Sequence, residues 1–154
     1  MADEICGVRL RRENVHWEGS ELHVGHEWIE FVDPSGATTF SAGFWPVGKN
    51  IWWTDGQVMT PDPHGGDTSS NVHTEEIFRP NMQTAGGTNL PKCADASCDD
   101  IRKCIKDAVD QSQKNPPGYR LLTNNCRDWA EEMIRKCCLN AIDLDNWTGG
   151  AVGI

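Results

Sequence analysis

The sequence predicts an α+β domain, a small antiparallel sheet packed against two helices. Three observations carry this expectation. The first half alternates apolar and polar residues in short aromatic and β-branched runs. From Ser97 onward the apolar residues fall instead at helical spacing. No internal repeat divides the chain, and its 154 residues suit one domain with one core.

Val8 and Leu10, then Val24, Trp28 and Ile29 to Phe31, read as strands. Residues 25–32 and 37–44 are expected to pair as a hairpin. Between them lies Asp33-Pro34-Ser35-Gly36, a turn tetrad in which Pro presets φ and Gly supplies a positive one. Residues 45–70 are rich in Trp, Pro, Gly and Asp and read as an irregular, aromatic-loaded loop region with room for a short strand. Residues 71–79 alternate like one more strand, and 80–95 read as a loop closed by Cys93.

Ile101, Cys104, Ile105, Ala108 and Val109 share one helical face, which predicts a helix over about 98–113. Ser97 supplies its cap, Asp99 and Asp100 its first-turn acids, and Asn115-Pro116-Pro117-Gly118 its stop. Residues 119–122 read as a short strand or an extended lead-in. Asn125 then caps a second helix over about 126–139, with Trp129, Ala130, Met133, Ile134 and Cys137 on its apolar face. The last residues, 146–154, are expected to be peripheral.

Composition excludes several function classes. A net charge of −9 opposes non-specific nucleic-acid binding and docking on an anionic membrane through charge. No run approaches the roughly 18 apolar residues of a spanning helix, so no membrane insertion is expected. The first residues lack the apolar segment of a Sec signal peptide, so export would need a dedicated secretion machine. Seven cysteines is an odd number: three disulfides plus one thiol in an oxidising compartment, or a set of buried reduced thiols.

Cys126 is the candidate nucleophile. At the first turn of a helix it sees backbone N–H groups and the positive end of the helix dipole, both of which favour thiolate. Those amides, with the side chain of Asn124 or Asn125, can face a developing oxyanion. A thiolate needs a base, and the histidines are His16, His23, His26, His64 and His73. His26 opens a well-defined strand and is the preferred base; His73 is the reserve, and His23 stays open. Ser41 is the candidate third group orienting the imidazole, with Thr39 or His73 as alternatives.

Three segments resemble a known group: Gly25-His26-Glu27-Trp28-Ile29-Glu30, then Thr39-Phe40-Ser41-Ala42-Gly43-Phe44-Trp45-Pro46, then Tyr119 followed by Asn124-Asn125-Cys126 and Trp129-Ala130. Their order is similar to that of circularly permuted papain-like thiol enzymes, which include NlpC-related peptidases and lecithin:retinol acyltransferase-like enzymes. It also resembles domains at the ends of bacterial polymorphic toxins and secretion-system effectors. The likeness spans about 22–46 and 117–139. It implies a permuted papain-like fold with Cys126 as nucleophile and His26 as base. Acyltransferase-like members place a second His opposite the first, and none stands around Phe44.

The leading expectation is therefore a cysteine amidase or peptidase acting through an acyl-enzyme. The resemblance implies peptidoglycan stem peptides as substrate, a target-cell periplasm or a cytoplasm as the site of action, and an immunity protein as partner. An acyltransferase, lipase or deamidase would use the same Cys–His chemistry. The alternative from another class is a disulfide-stabilised binding module, with Trp45, Trp52 and Trp53 walling a groove for a sugar or peptide. No cofactor or metal is expected. Cys93, Cys98, Cys104, Cys137 and Cys138 supply enough thiols for zinc but contain no CxxC pair. Asp62, Asp67, Glu75 and Glu76 read as solvated loop acids rather than a glycosidase pair.

Overall fold

The computed structural model describes residues 6–16, 23–48, 52–66, 73–74, 97–120 and 124–139. Among the described residues, six strands and two helices follow in chain order: β1 (Val8–His16), β2 (His23–Val32), β3 (Thr38–Pro46), β4 (Thr54–Met59), β5 (His73–Thr74), α1 (Cys98–Lys114), β6 (Gly118–Tyr119) and α2 (Cys126–Arg135). The strands form one antiparallel sheet in the order β5-β1-β2-β3-β4-β6, whose two outer members are two residues long.

The β2–β3 hairpin turns where the tetrad predicts. The Asp33 carboxylate accepts hydrogen bonds from the Ser35 N–H, the Ser35 hydroxyl and the Ala37 N–H, and Gly36 takes φ +89°. Trp28 then lies opposite Gly43 and Glu30 opposite Ser41, with a register shift at Phe31/Val32.

Because side chains alternate across a strand, this register sorts each strand into two sets. Val8, Leu10, Ile29, Phe31, Ala42, Phe44 and Val58 line one face. They pack against Ile101, Ile105, Ala108 and Val109 of α1 and Trp129, Ala130, Met133 and Ile134 of α2. Trp129 also donates its indole N–H to the Ser112 hydroxyl at 2.8 Å, joining the helices. The other face carries Arg9, Arg11, His26, Trp28, Glu30, Ser41 and Trp45, and the segment 60–66 lies over it through Asp62 and Gly66. Both faces of the central strands are thus buried.

Each helix begins with a reciprocal capping box, Ser97 with Asp100 in α1 and Asn125 with Asp128 in α2. Disulfides brace the assembly. Cys6–Cys98 ties the chain before β1 to the start of α1, and Cys104–Cys137 ties α1 to the turn after α2. Cys138 is also disulfide-bonded, which removes the thiols a zinc site would need.

Several expectations need correction. The second helix stops at Arg135, because residues 136–139 form a turn in which Cys138 takes φ +71°. The region 45–70 does hold the short strand for which its reading as a loop left room, β4. Of the strand expected at 71–79, β5 covers His73 and Thr74; the remainder, the loop at 80–95 and the tail at 146–154 lie outside the described residues. The extended lead-in expected at 119–122 begins one residue earlier, as β6.

Cys6 and Cys98 are 92 residues apart, so their bond closes a long loop. Chain entropy assigns such a bond about 4–5 kcal/mol. The double variant Cys6→Ala/Cys98→Ala is expected to lose most of that in urea denaturation, and an unchanged midpoint would show that the brace is idle.

Candidate functional site

Two polar clusters are built into the sheet, one on each face, and they divide the residues that the sequence groups together.

The first surrounds Cys126 on the helix-packed face. Asn125 caps α2, so Cys126 occupies the first helical position, as the sequence predicts. Its thiol is not in a disulfide. It is only 2% exposed and lies against the Tyr119 hydroxyl, the backbone of Glu27 and the Glu27 carboxyl. Burial pushes the thiol up to about 12. The Glu27 and Arg127 backbone amides and the Tyr119 hydroxyl pull the other way, and a charge on Glu27 adds to the rise. The helix-start amides therefore favour thiolate as expected, but desolvation is the larger effect. At pH 7 the buried sulfur is held as the thiol.

Glu27 is itself buried among charges. It pairs with Arg12, also fully buried, and burial pushes its carboxyl up to about 8 against the pull of Arg12. Glu131 beside it adds to the rise and is paired with Arg127 at 3.3 Å. Glu27 Oε2 is buried without a hydrogen-bond partner, the position of a group better left neutral.

The second cluster surrounds His26 on the opposite face. His26 Nε2 lies 2.8 Å from Asp62 Oδ2, and its ring packs on Trp45, with centroids 3.7 Å apart. Asp62 also accepts the Trp45 indole N–H at 2.9 Å and the His64 N–H at 2.8 Å. Burial disfavours a charged Asp62, yet His26 and these N–H donors outweigh it and hold the carboxyl below its usual range. Gly43 makes room for the pair: a Cβ there would lie 1.9 Å from Asp62 Oδ2 and 3.2 Å from His26 Cε1. His64 continues the cluster outward, with Nδ1 3.2 Å from Glu13 Oε2.

The expected Cys126–His26 dyad is therefore not assembled. His26 and Glu27 are neighbours on one strand and point to opposite faces, so the sheet lies between the imidazole and the thiol. Glu27 occupies the place beside the sulfur that the base was expected to fill. Ser41 does not touch the imidazole in the role assigned to it. Its hydroxyl accepts the Asp62 N–H at 3.0 Å, so it positions the residue that orients His26. The Asn125 side chain accepts the Asp128 N–H at 3.0 Å, and Asn124 donates to the Gly118 carbonyl at 2.8 Å; these bonds shape the lead-in to α2.

The tryptophan wall also divides. Trp45 is buried in the His26 cluster, whereas Trp52 and Trp53 are 52% and 68% exposed. They follow β3 at the tip of the β3–β4 hairpin, with exposed Val47 nearby in sequence. The Arg120 guanidinium lies 4.3 Å from the Trp53 ring centre. His23 and His73 lie in β2 and β5.

Sequence reasoning passed over Glu27 and Arg120 and read Asp62 as a solvated loop acid, whereas it is buried against His26. Glu27 shares its parity with Ile29 and Phe31, so the alternation already placed it toward the helices and His26 away from them. Asp62 and Arg120 gave no comparable signal, since both reach their partners through turns. Among the described residues, no group of three or more His, Cys, Asp and Glu is arranged to hold a metal ion. No protein family, curated protein or solved structure matches the chain.

Two outcomes follow. Glu27 binds its proton more tightly in the folded chain (about 8) than at its ordinary 4.5, so the stability this group contributes is fully present below pH 4.5 and is lost as pH rises toward 8. The loss, about 1.4 kcal/mol per pH unit at most, should be visible by urea denaturation between pH 5 and 8, above the range where the lowered Asp62 and Glu30 carboxyls titrate, and flattened in Glu27→Gln. An equal slope in the variant would assign it elsewhere. Gly43→Ala should cost about 1–3 kcal/mol and shift the His26 ring signals in NMR, because the new methyl group displaces Asp62; unperturbed signals would contradict that placement.

Proposed function

We propose that the chain is a disulfide-braced recognition module that binds a saccharide on the Trp52–Trp53 platform. The observation that carries this reading is the exposure of two adjacent indoles in a chain that buries Trp28, Trp45 and Trp129. Leaving two indoles in water forgoes burial of a kind this chain makes elsewhere, and such patches mark contact surfaces.

Size favours a small ligand. Trp52, Trp53 and Val47 together present on the order of 400 Å² of apolar surface. A stable protein partner needs about 800 Å² per side. A sugar ring offers an apolar face of matching scale with hydroxyls at its rim, and β4 begins at Thr54, directly after Trp53, with exposed Asp55 as its next residue. The bonded cysteines suit an oxidising compartment.

An amidase reading would require thiolate at Cys126 with an imidazole beside it. The burial of the sulfur and the separation of His26 on the other face speak for the module instead. In the module reading Cys126 is a packing residue of α2.

Intrinsic tryptophan fluorescence titrated with a panel of neutral and charged oligosaccharides tests this. The expected result is saturable quenching, weakened at least tenfold in Trp53→Ala and retained in Cys126→Ala. Release of stem-peptide fragments from purified peptidoglycan, lost in Cys126→Ala, would overturn the module and restore the hydrolase.

A further inference from the structure

Resting on that platform reading, we infer that Arg120 makes it selective for a sugar bearing a carboxylate, such as a uronic-acid unit, through bidentate contact from a guanidinium stacked on Trp53. The stack is built by the backbone. Tyr119 of β6 pairs with Thr54 of β4, which sets Arg120 next to the residue that follows Trp53. Arg120 is fixed again from the other side by two backbone hydrogen bonds with Asn124, at 3.0 and 2.9 Å, and Asn124 is anchored in turn on Gly118. A guanidinium seated over an indole, with Cζ 4.3 Å from the ring centre, loses less further freedom on binding than a free side chain would.

Charge accounting points the same way. The chain carries 23 acidic and 14 basic residues, so an arginine readily finds a carboxylate. Arg9, Arg11, Arg12, Arg102 and Arg127 each sit on one, and among the described arginines Arg120 and Arg135 do not. Arg120 is exposed and, among the described residues, its side chain contacts the Trp53 ring and pairs with no acid. A fork of donors presented beside an apolar face matches a planar carboxylate attached to a sugar ring. The surrounding negative charge, Asp55 included, is screened over about 8 Å at physiological salt, so it selects against dense polyanions without preventing contact with a single carboxylate.

The probes are trigalacturonic acid, its methyl ester, and a sulfated trisaccharide, each titrated by fluorescence and calorimetry. The free acid should bind about tenfold more tightly than the ester. Arg120→Gln should remove that preference by weakening the free acid more than the ester, whereas Trp53→Ala should weaken both sugars alike. Equal binding of acid and ester, or an equal loss of both in Arg120→Gln, overturns the carboxylate assignment while the platform stands. Tightest binding of the sulfated sugar also overturns it. Failure of every saccharide to bind overturns the platform reading itself. Thermal denaturation of Arg120→Gln should match that of the parent protein, which separates lost selectivity from lost fold.

Discussion

Strand β2 is covered on both sides, by the two helices on one face and by the segment 60–66 on the other, and this double burial organises the molecule. A strand in that position sends neighbouring side chains into different interiors. Glu27, Ile29 and Phe31 go toward the helices; His26, Trp28 and Glu30 go toward the loop. A one-residue slip would exchange these sets and strand Ile29 and Phe31 among arginines, so the register is firmly specified. The polar chemistry of the chain is thereby divided between two compartments separated by the sheet.

Each compartment satisfies its buried polar groups differently. On the loop face, Glu30 accepts from Trp28, Gly66, Arg9 and Arg11, and Asp62 accepts from His26, Trp45 and the His64 N–H; despite burial, both carboxyls are held below their usual range. These networks fasten the segment 60–66 to the sheet. On the helix face, Glu27 has Arg12 as its partner and a second oxygen without one, and its carboxyl rises instead. Cys126 shares that compartment. Its position at the start of α2 contributes favourable amides, but removal from water outweighs them, so a feature that ordinarily activates a thiol here sits within the core.

Much of the architecture was legible from periodicity and punctuation. The hairpin turn at Asp33–Gly36, both helix caps and the α+β class followed from residue types whose local physics dominates. The site was less legible, for two reasons. His26 and Cys126 were paired by their order along the chain, whereas strand parity decides whether they meet; the apolar partners Ile29 and Phe31 already carried that information. Asp62 and Arg120 depend on turns and on pairing between β4 and β6, which no local pattern encodes. The exposure of Trp52 and Trp53 against the burial of Trp45 likewise depends on which residues the hairpin tip leaves uncovered.

The separation of the two compartments is tested most directly by the ionisation of the Cys126 thiol. In protein labelled with ¹³C at cysteine Cβ, the Cys126 resonance is followed against pH together with the His26 ring protons. The account requires a Cys126 shift that stays constant through pH 10 and does not respond to His26. A Cys126 titration below the ordinary value of about 8.5, coupled to that of His26, would place sulfur and imidazole together and contradict it.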